Sequence, residues 1–140
     1  MRYGRALMAL ALALALLAST PALAADPIFG RWRTDDSSAI VSVAPCGGKL
    51  CGEIARVLDP KAPPNDINNP DRRKRSRPLA GAMVLRDFVR SGGVWKGGRA
   101  YDPKSGNSYA SELAMQQDGR LKVTGCVLFL CRSRLWTRSD

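Results

Sequence analysis

Residues 93–126 read GVWKGGRAYDPKSGNSYASELAMQQDGRLKVTGC, and this stretch sets the fold class. Its last segment alternates: Leu121 and Val123 are apolar, Lys122 and Thr124 polar, as in a strand with one buried face. Asp118-Gly119 just ahead is a two-residue hairpin signal, since the favoured tight turn needs residues that tolerate positive φ. Asp102-Pro103-Lys104-Ser105-Gly106 is a second turn. Asp starts it, Pro presets φ at the next position, and Gly stands where a left-handed residue is needed. The segments between the turns read as strands over 93–101, 107–116 and 120–126.

Outward from this stretch the same grammar continues. Strands are predicted near 29–34, 38–44, 50–57, 82–90 and 132–138, with Gly92-Gly93 as another tight turn. No segment sustains helical periodicity, and there are no internal repeats. The predicted fold class is all-β: an eight-stranded antiparallel meander closed into a barrel, which removes the exposed sheet edges. A barrel of about eight strands is either filled by side chains or holds one small ligand.

The N-terminus has a different character. Arg2 and Arg5 precede an unbroken Ala/Leu/Met run from Ala6 to Ala18, then Ser19, Thr20 and Pro21, with Ala22 and Ala24 in A-x-A spacing. This is the layout of a signal peptide over residues 1–24, cleaved after Ala24. The apolar run is too short for a membrane span, which needs about 20 residues, and no later segment is apolar enough to cross. Residues 25–140 are then a single β-barrel domain, expected in the periplasm or secreted. Removing Arg2 and Arg5 from the 22 Lys and Arg leaves 20 against 12 Asp and Glu, a net charge of +8. Such a balance favours anionic partners. Export argues against nucleic acid and for a small ligand or an anionic envelope component.

The four cysteines form two equally spaced pairs, Cys46 with Cys51 and Cys126 with Cys131. An even count in an exported chain reads as disulfides, for which three pairings are possible. The local pairing is favoured, because Cys46-Gly47-Gly48-Lys49-Leu50-Cys51 has the composition of a hairpin tip. Zinc is disfavoured by the C-x4-C spacing and the lack of histidine.

One connection is long. Residues 58–80 contain Asp66, Asn69 and Asp71, followed by the basic run Arg72, Arg73, Lys74, Arg75 and Arg77. Long ordered loops in compact domains are usually functional or mobile. Asn69-Pro70-Asp71 reads as an N-cap, a Pro at the first helical position and an early acid, predicting a short helical turn over Arg72 to Arg75.

Several motifs resemble those of the secreted bacterial family catalogued as domain of unknown function 2147. They are Gly30-x-Trp32, Cys46 to Gly52, Asp66 to Asp71, Arg75 to Gly81 and Trp95-x-Gly97-Gly98. Next come Tyr101-Asp102-Pro103-x-x-Gly106-x-x-Tyr109, Gly125-Cys126, Cys131-Arg132 and Trp136-Thr137-Arg138. The resemblance spans nearly all of residues 25–140 and implies a lipocalin-like, calycin-type barrel. Two stretches depart from the pattern: the loop is more basic over Arg72 to Arg75, and the tip Val127 to Leu130 is apolar. Gly30-x-Trp32 also resembles the first-strand signature of lipocalins. That implies an Arg late in the last strand, Arg138 or Arg134, packing over Trp32 at the closed barrel end.

With no histidine there is no Ser-His triad and no His base or metal ligand. Paired cysteines supply no thiolate. No catalytic residue, cofactor or metal site is therefore assigned. Two carboxylate pairs could act together, Asp66/Asp71 on the long loop and Asp102/Glu112 on neighbouring strands or turns, but Asp66 and Asp71 read first as loop-capping groups. Binding is favoured over catalysis. The candidate ligand-binding residues are Asp66, Asn69, Asp71, Arg75, Arg77, Trp95, Tyr101, Tyr109 and Trp136. Arg72, Arg73 and Lys74 are candidates for contact with an anionic surface. Val127, Leu128, Phe129 and Leu130 form an apolar tip between two cysteines. The expected function is a non-catalytic binding module for a small amphipathic or anionic ligand at a mouth covered by loop 58–80. The alternative is an envelope protein that holds anionic membrane or cell-wall polymer through its basic loop.

Overall fold

The computed structural model describes residues 26–140; the predicted signal peptide lies outside them. Eight strands close into one antiparallel barrel in chain order. They are β1 (Gly30–Arg33), β2 (Ala39–Cys46), β3 (Lys49–Val57) and β4 (Met83–Ser91), then β5 (Val94–Asp102), β6 (Asn107–Met115), β7 (Leu121–Val127) and β8 (Leu130–Ser139). β1 closes the ring on β8, with Trp32 opposite Arg138.

Each expected strand is present. The boundaries differ most at the two cysteine hairpins, where the ladders run on to the tips. Cys46 pairs with Lys49, and Val127 with Leu130, so each hairpin turns over two residues. Both disulfides are local, Cys46–Cys51 and Cys126–Cys131, with Cα atoms 5.5 and 4.1 Å apart. The first turn is Gly47-Gly48, both with positive φ as the twist of a tight hairpin demands. The second is Leu128-Phe129, and there Leu128 itself takes φ 55°.

The meander puts the connections after β1, β3, β5 and β7 at one end of the barrel. Those after β2, β4 and β6, with both chain ends, lie at the other. The latter end is sealed. Trp32 has no exposed surface, and its indole N–H donates to the Ile28 carbonyl at 2.8 Å. The Arg138 guanidinium lies 3.9 Å from the Trp32 ring centroid and donates to the carbonyls of Phe29 and Pro27. Arg138 is thus the residue that caps Trp32, while Arg134 pairs with Asp35 at 3.1 Å. Above this plug sit Val43, Leu50, Phe88, Leu113 and Leu121, all essentially buried.

The long connection between β3 and β4 is ordered by its own hydrogen bonds. Asn65 bridges Pro78, the Asp66 amide donates to the Arg77 carbonyl, and the Leu79 amide donates to that of Pro64. The predicted helical turn exists as a 3-10 turn over Arg72–Lys74. Its cap is Asp71 and not Asn69: Asp71 accepts from the Arg73 amide at 3.0 Å, while Asn69 Oδ1 accepts from the Asp71 amide. The side chain of Asn69 is thereby committed one turn earlier. The loop is also fastened to the β5–β6 turn, where Asn68 Nδ2 donates to the carbonyls of Pro103 and Lys104. Gly106 in that turn has φ +75°, and a Cβ there would sit 2.0 Å from the Asn68 carbonyl oxygen. Only glycine permits both the turn and the close approach of the loop.

Candidate functional site

The open end holds a cup of about 1130 Å³. Its lower wall is apolar: Val41, Ile54, Val84, Leu85, Val123 and Trp136. Val41, Ile54, Val123 and Trp136 share the inward face by strand alternation, and a bulge of β4 against β3 lets the consecutive Val84 and Leu85 both reach it. Towards the mouth the wall becomes polar, with Tyr109, Ser111, Lys104, Arg132 and Arg134.

The ionic groups at the mouth are not equivalent. Asp36 accepts from Lys104 Nζ at 2.7 Å, from the Thr34 hydroxyl at 2.8 Å and from the Ser38 amide at 3.0 Å. Partial burial pushes its pKa up, but these hydrogen bonds, led by that of Lys104, outweigh burial and hold it well below the usual carboxylate range. The same ion pair raises Lys104. Arg134 is matched by Asp35. Among the described residues, Arg132 lines the mouth with no carboxylate within ion-pair distance and no hydrogen-bond partner on its guanidinium.

A second, smaller cleft of about 560 Å³ lies between the long loop and the barrel wall. Asp66, Asn69, Asp71, Lys74, Arg77, Arg86, Tyr101 and Ser108 are among its lining residues. At its base Asp66 is 4% exposed, and both carboxylate oxygens are used: the Tyr101 hydroxyl donates to Oδ1 at 2.6 Å, and Asn69 Nδ2 donates to Oδ2 at 2.7 Å. Desolvation, followed by the hydrogen bond to the Asp66 carboxylate, pushes the Tyr101 phenol well above its ordinary value. Tyr101 lines both spaces and separates them.

The structure thus divides the residues picked from the sequence. Tyr101, Tyr109 and Trp136 meet in the cup. Asp66, Asn69, Asp71 and Arg77 meet in the outer cleft. Arg75 joins neither set; its Nε donates to the Asn69 carbonyl at 2.7 Å and ties the loop together. Trp95 packs on Phe29, ring centroids 6.0 Å apart, near the sealed end. The bulge in β5 between Trp95 and Gly98 separates its register from that of the mouth. Arg72, Arg73 and Lys74 stand on the loop's exposed 3-10 turn, with Arg73 paired to Asp71 at 3.2 Å. None of these three lines the cup. Of the loop itself, Asp59, Lys61, Ala62, Pro63, Asn68 and Leu79 reach the mouth.

Sequence reasoning missed Arg132, Lys104, Asp35 and Asp36 as mouth residues. For Arg132 a signal was available. Trp136 is inward, so Arg134 and Arg132, two and four residues before it on the same strand, share its face.

A model of the bacterial family described as "Uncharacterized protein conserved in bacteria (DUF2147)" matches residues 30–138. The chain belongs to this family. The matched span includes the barrel's sealing residues Trp32 and Arg138, both disulfide hairpins and the loop anchor at Asp66 and Tyr101. Among solved structures it is similar to a Helicobacter pylori protein, HP1028, described as belonging to the lipocalin family. The two are 23% identical and superpose with a TM-score of 0.71 over 79% of this chain and 82% of the other, which shows the lipocalin-like fold. A search of curated proteins finds no match. Among the described residues no helix is long and apolar enough to cross a membrane, and no cluster of three or more His, Cys, Asp or Glu side chains is placed to hold a metal ion.

Proposed function

We propose that this domain is an exported, non-catalytic binding module that takes one small amphipathic ligand with an anionic head. The observation that carries this is the cup itself: an apolar floor at Val41, Leu85, Val123 and Trp136, with the unpaired Arg132 at its rim. Apolar walls with a few placed polar groups are the usual composition of small-ligand sites. The volume suits a drug-sized or single-chain molecule. The apolar body would displace water from the floor, and the head would accept from the Arg132 fork. Signal-like residues 1–24 and two disulfides support an oxidising compartment outside the cytoplasm.

The test is titration of the purified domain with a dansyl-labelled fatty acid, read by energy transfer from tryptophan. Val123→Trp fills the floor and is expected to abolish binding. Arg132→Ala removes one charge-assisted contact at a partly solvated site and is expected to weaken binding about tenfold. A folded domain that binds no such probe, or one whose binding ignores both substitutions, would sink the proposal.

A further inference from the structure

The hairpin joining β7 and β8 is the least economical part of this surface. Leu128 and Phe129 are 88% and 89% exposed, and Val127 and Leu130 beside them are also open. Leu128 holds φ 55°, a backbone region that a branched apolar side chain rarely adopts and that costs free energy. A Gly or Asn would relieve that strain at no loss of packing, because the tip packs on nothing. The Cys126–Cys131 disulfide fixes the hairpin immediately below. The hairpin also projects. β1 stops pairing with β8 at Arg33 and Thr137, so β8 from Leu130 onward overhangs the end of β1.

The tip is continuous with the cup. Val127 and Leu130 line its mouth, and the inward row of β7 descends from Val127 through Gly125 to Val123 on the floor. Charge is distributed unevenly between the two ends. The connections and hairpin at the mouth end (residues 34–38, 58–82, 102–107 and 127–134) carry nine Lys and Arg against six Asp. The sealed end (residues 26–29, 46–49, 91–94, 116–120 and 138–140) carries three against three. Within the mouth end three of the acids are spent on cations of the same end, Asp35 on Arg134, Asp36 on Lys104 and Asp71 on Arg73. Arg132, Arg72, Lys74 and Lys61 have no carboxylate within ion-pair distance among the described residues.

We infer that the mouth end docks on an anionic lipid bilayer, with Leu128 and Phe129 inserted at the interface and the surrounding cations on the headgroups. A projecting, disulfide-stiffened apolar tip set in a basic end matches the two requirements of interfacial binding, buried apolar area and attraction to anionic lipid. Docking in this pose faces the cup to the membrane, so an amphiphile passes between bilayer and cup along the Val127–Val123 row without crossing water. Docking itself does not require an occupied cup and stands apart from the proposed ligand binding.

The experiment is co-sedimentation of the domain (residues 25–140) with vesicles of phosphatidylglycerol and phosphatidylcholine, and with phosphatidylcholine vesicles alone. Binding is expected to the anionic vesicles only, and to fall as salt rises. Leu128→Asn with Phe129→Ser is expected to weaken it about tenfold or more while leaving the melting temperature equal or higher, because Asn accepts the left-handed backbone. Phe129→Trp is expected to shift its fluorescence to the blue on adding anionic vesicles. The inference is overturned if the folded domain ignores anionic vesicles, or if the double variant binds them as the parent does. It is equally overturned if the tip proves to be the contact of a homodimer, seen as a dimer in sedimentation velocity that the double variant abolishes. Val123→Trp, which fills the cup, keeps vesicle binding if docking is right, so failure of ligand binding and failure of docking are told apart.

Discussion

Tyr101→Phe tests how the long loop is held. The substitution keeps the ring and deletes one hydroxyl, which donates at 2.6 Å to Oδ1 of the nearly buried Asp66. A hydrogen bond to a charged group is worth about 1.5–3 kcal/mol. The Asp66 carboxylate keeps its bond to Asn69, and it lines the outer cleft, from which water can reach the vacated oxygen. The cost should therefore fall around the lower end of that range, at about 1–2 kcal/mol. If the loop and barrel unfold together, the melting temperature drops by roughly 3–10 °C for a domain of this size. If the loop opens alone, amide exchange in residues 64–79 accelerates about 5- to 30-fold while the strands are unaffected. The alkaline limb gives an independent check. The phenol's pKa is raised above its ordinary 10.0 in the folded state, so the folded form holds that proton more tightly than the unfolded chain. The resulting stabilisation is complete below pH 10 and is lost as pH rises towards the folded value. Wild-type stability should thus decline above pH 10 more steeply than that of Tyr101→Phe. Unchanged loop exchange, unchanged melting and superimposable alkaline profiles would refute the anchoring role of this bond.

Two further outcomes follow from the rim and the plug. Asp36 has its pKa depressed below the ordinary 3.8, so it adds stability at neutral pH that is lost as pH falls below about 4 through the folded value; Asp36→Asn should flatten that acid limb, by no more than about 1 kcal/mol because the pair with Lys104 is half-exposed, as measured by urea unfolding across pH. Arg138→Met keeps the stem over Trp32 but removes the cation–π contact and the donors to Phe29 and Pro27, and should cost about 2 kcal/mol in chemical denaturation, whereas an effect below 0.5 kcal/mol would mean that the stem alone makes the plug, by about the scale expected of a single exposed contact.

Which parts of this were legible beforehand follows from the range of the interactions involved. The barrel is written in local terms. Period-2 alternation in β7 and turn chemistry at Asp118-Gly119 and Asp102 to Gly106 act within a few residues, and a meander needs little else. The loop is held by contacts that sequence spacing does not encode. Asp66 meets Tyr101 and Asn68 meets Pro103, each 35 residues on. The basic run drew attention as the densest charge in the chain, yet it stands on the outer turn, and the cup's cations come singly from β8 and from the β5–β6 and β3–β4 connections. Isolated charges look unremarkable in sequence, and only strand parity distinguishes an inward Arg132 from an outward Ser133.

Strand β8 shows how the neighbours along one row of side chains set what a charge can do. Leu130, Arg132, Arg134, Trp136 and Arg138 all face inward. At the sealed end Arg138, though exposed, is engaged by two carbonyls and an aromatic face. Arg134, halfway up, is offset by Asp35. Arg132 is exposed to water and has no carboxylate or carbonyl partner among the described residues, so it stays unpaired at little cost. An unpaired cation is what an incoming anion requires, because no internal salt bridge must first be broken. Under the proposed binding, the place where the fold leaves a guanidinium free is also the place where the ligand's head would be recognised. The apolar residues below it gain nothing from a charged neighbour unless a ligand bridges the two.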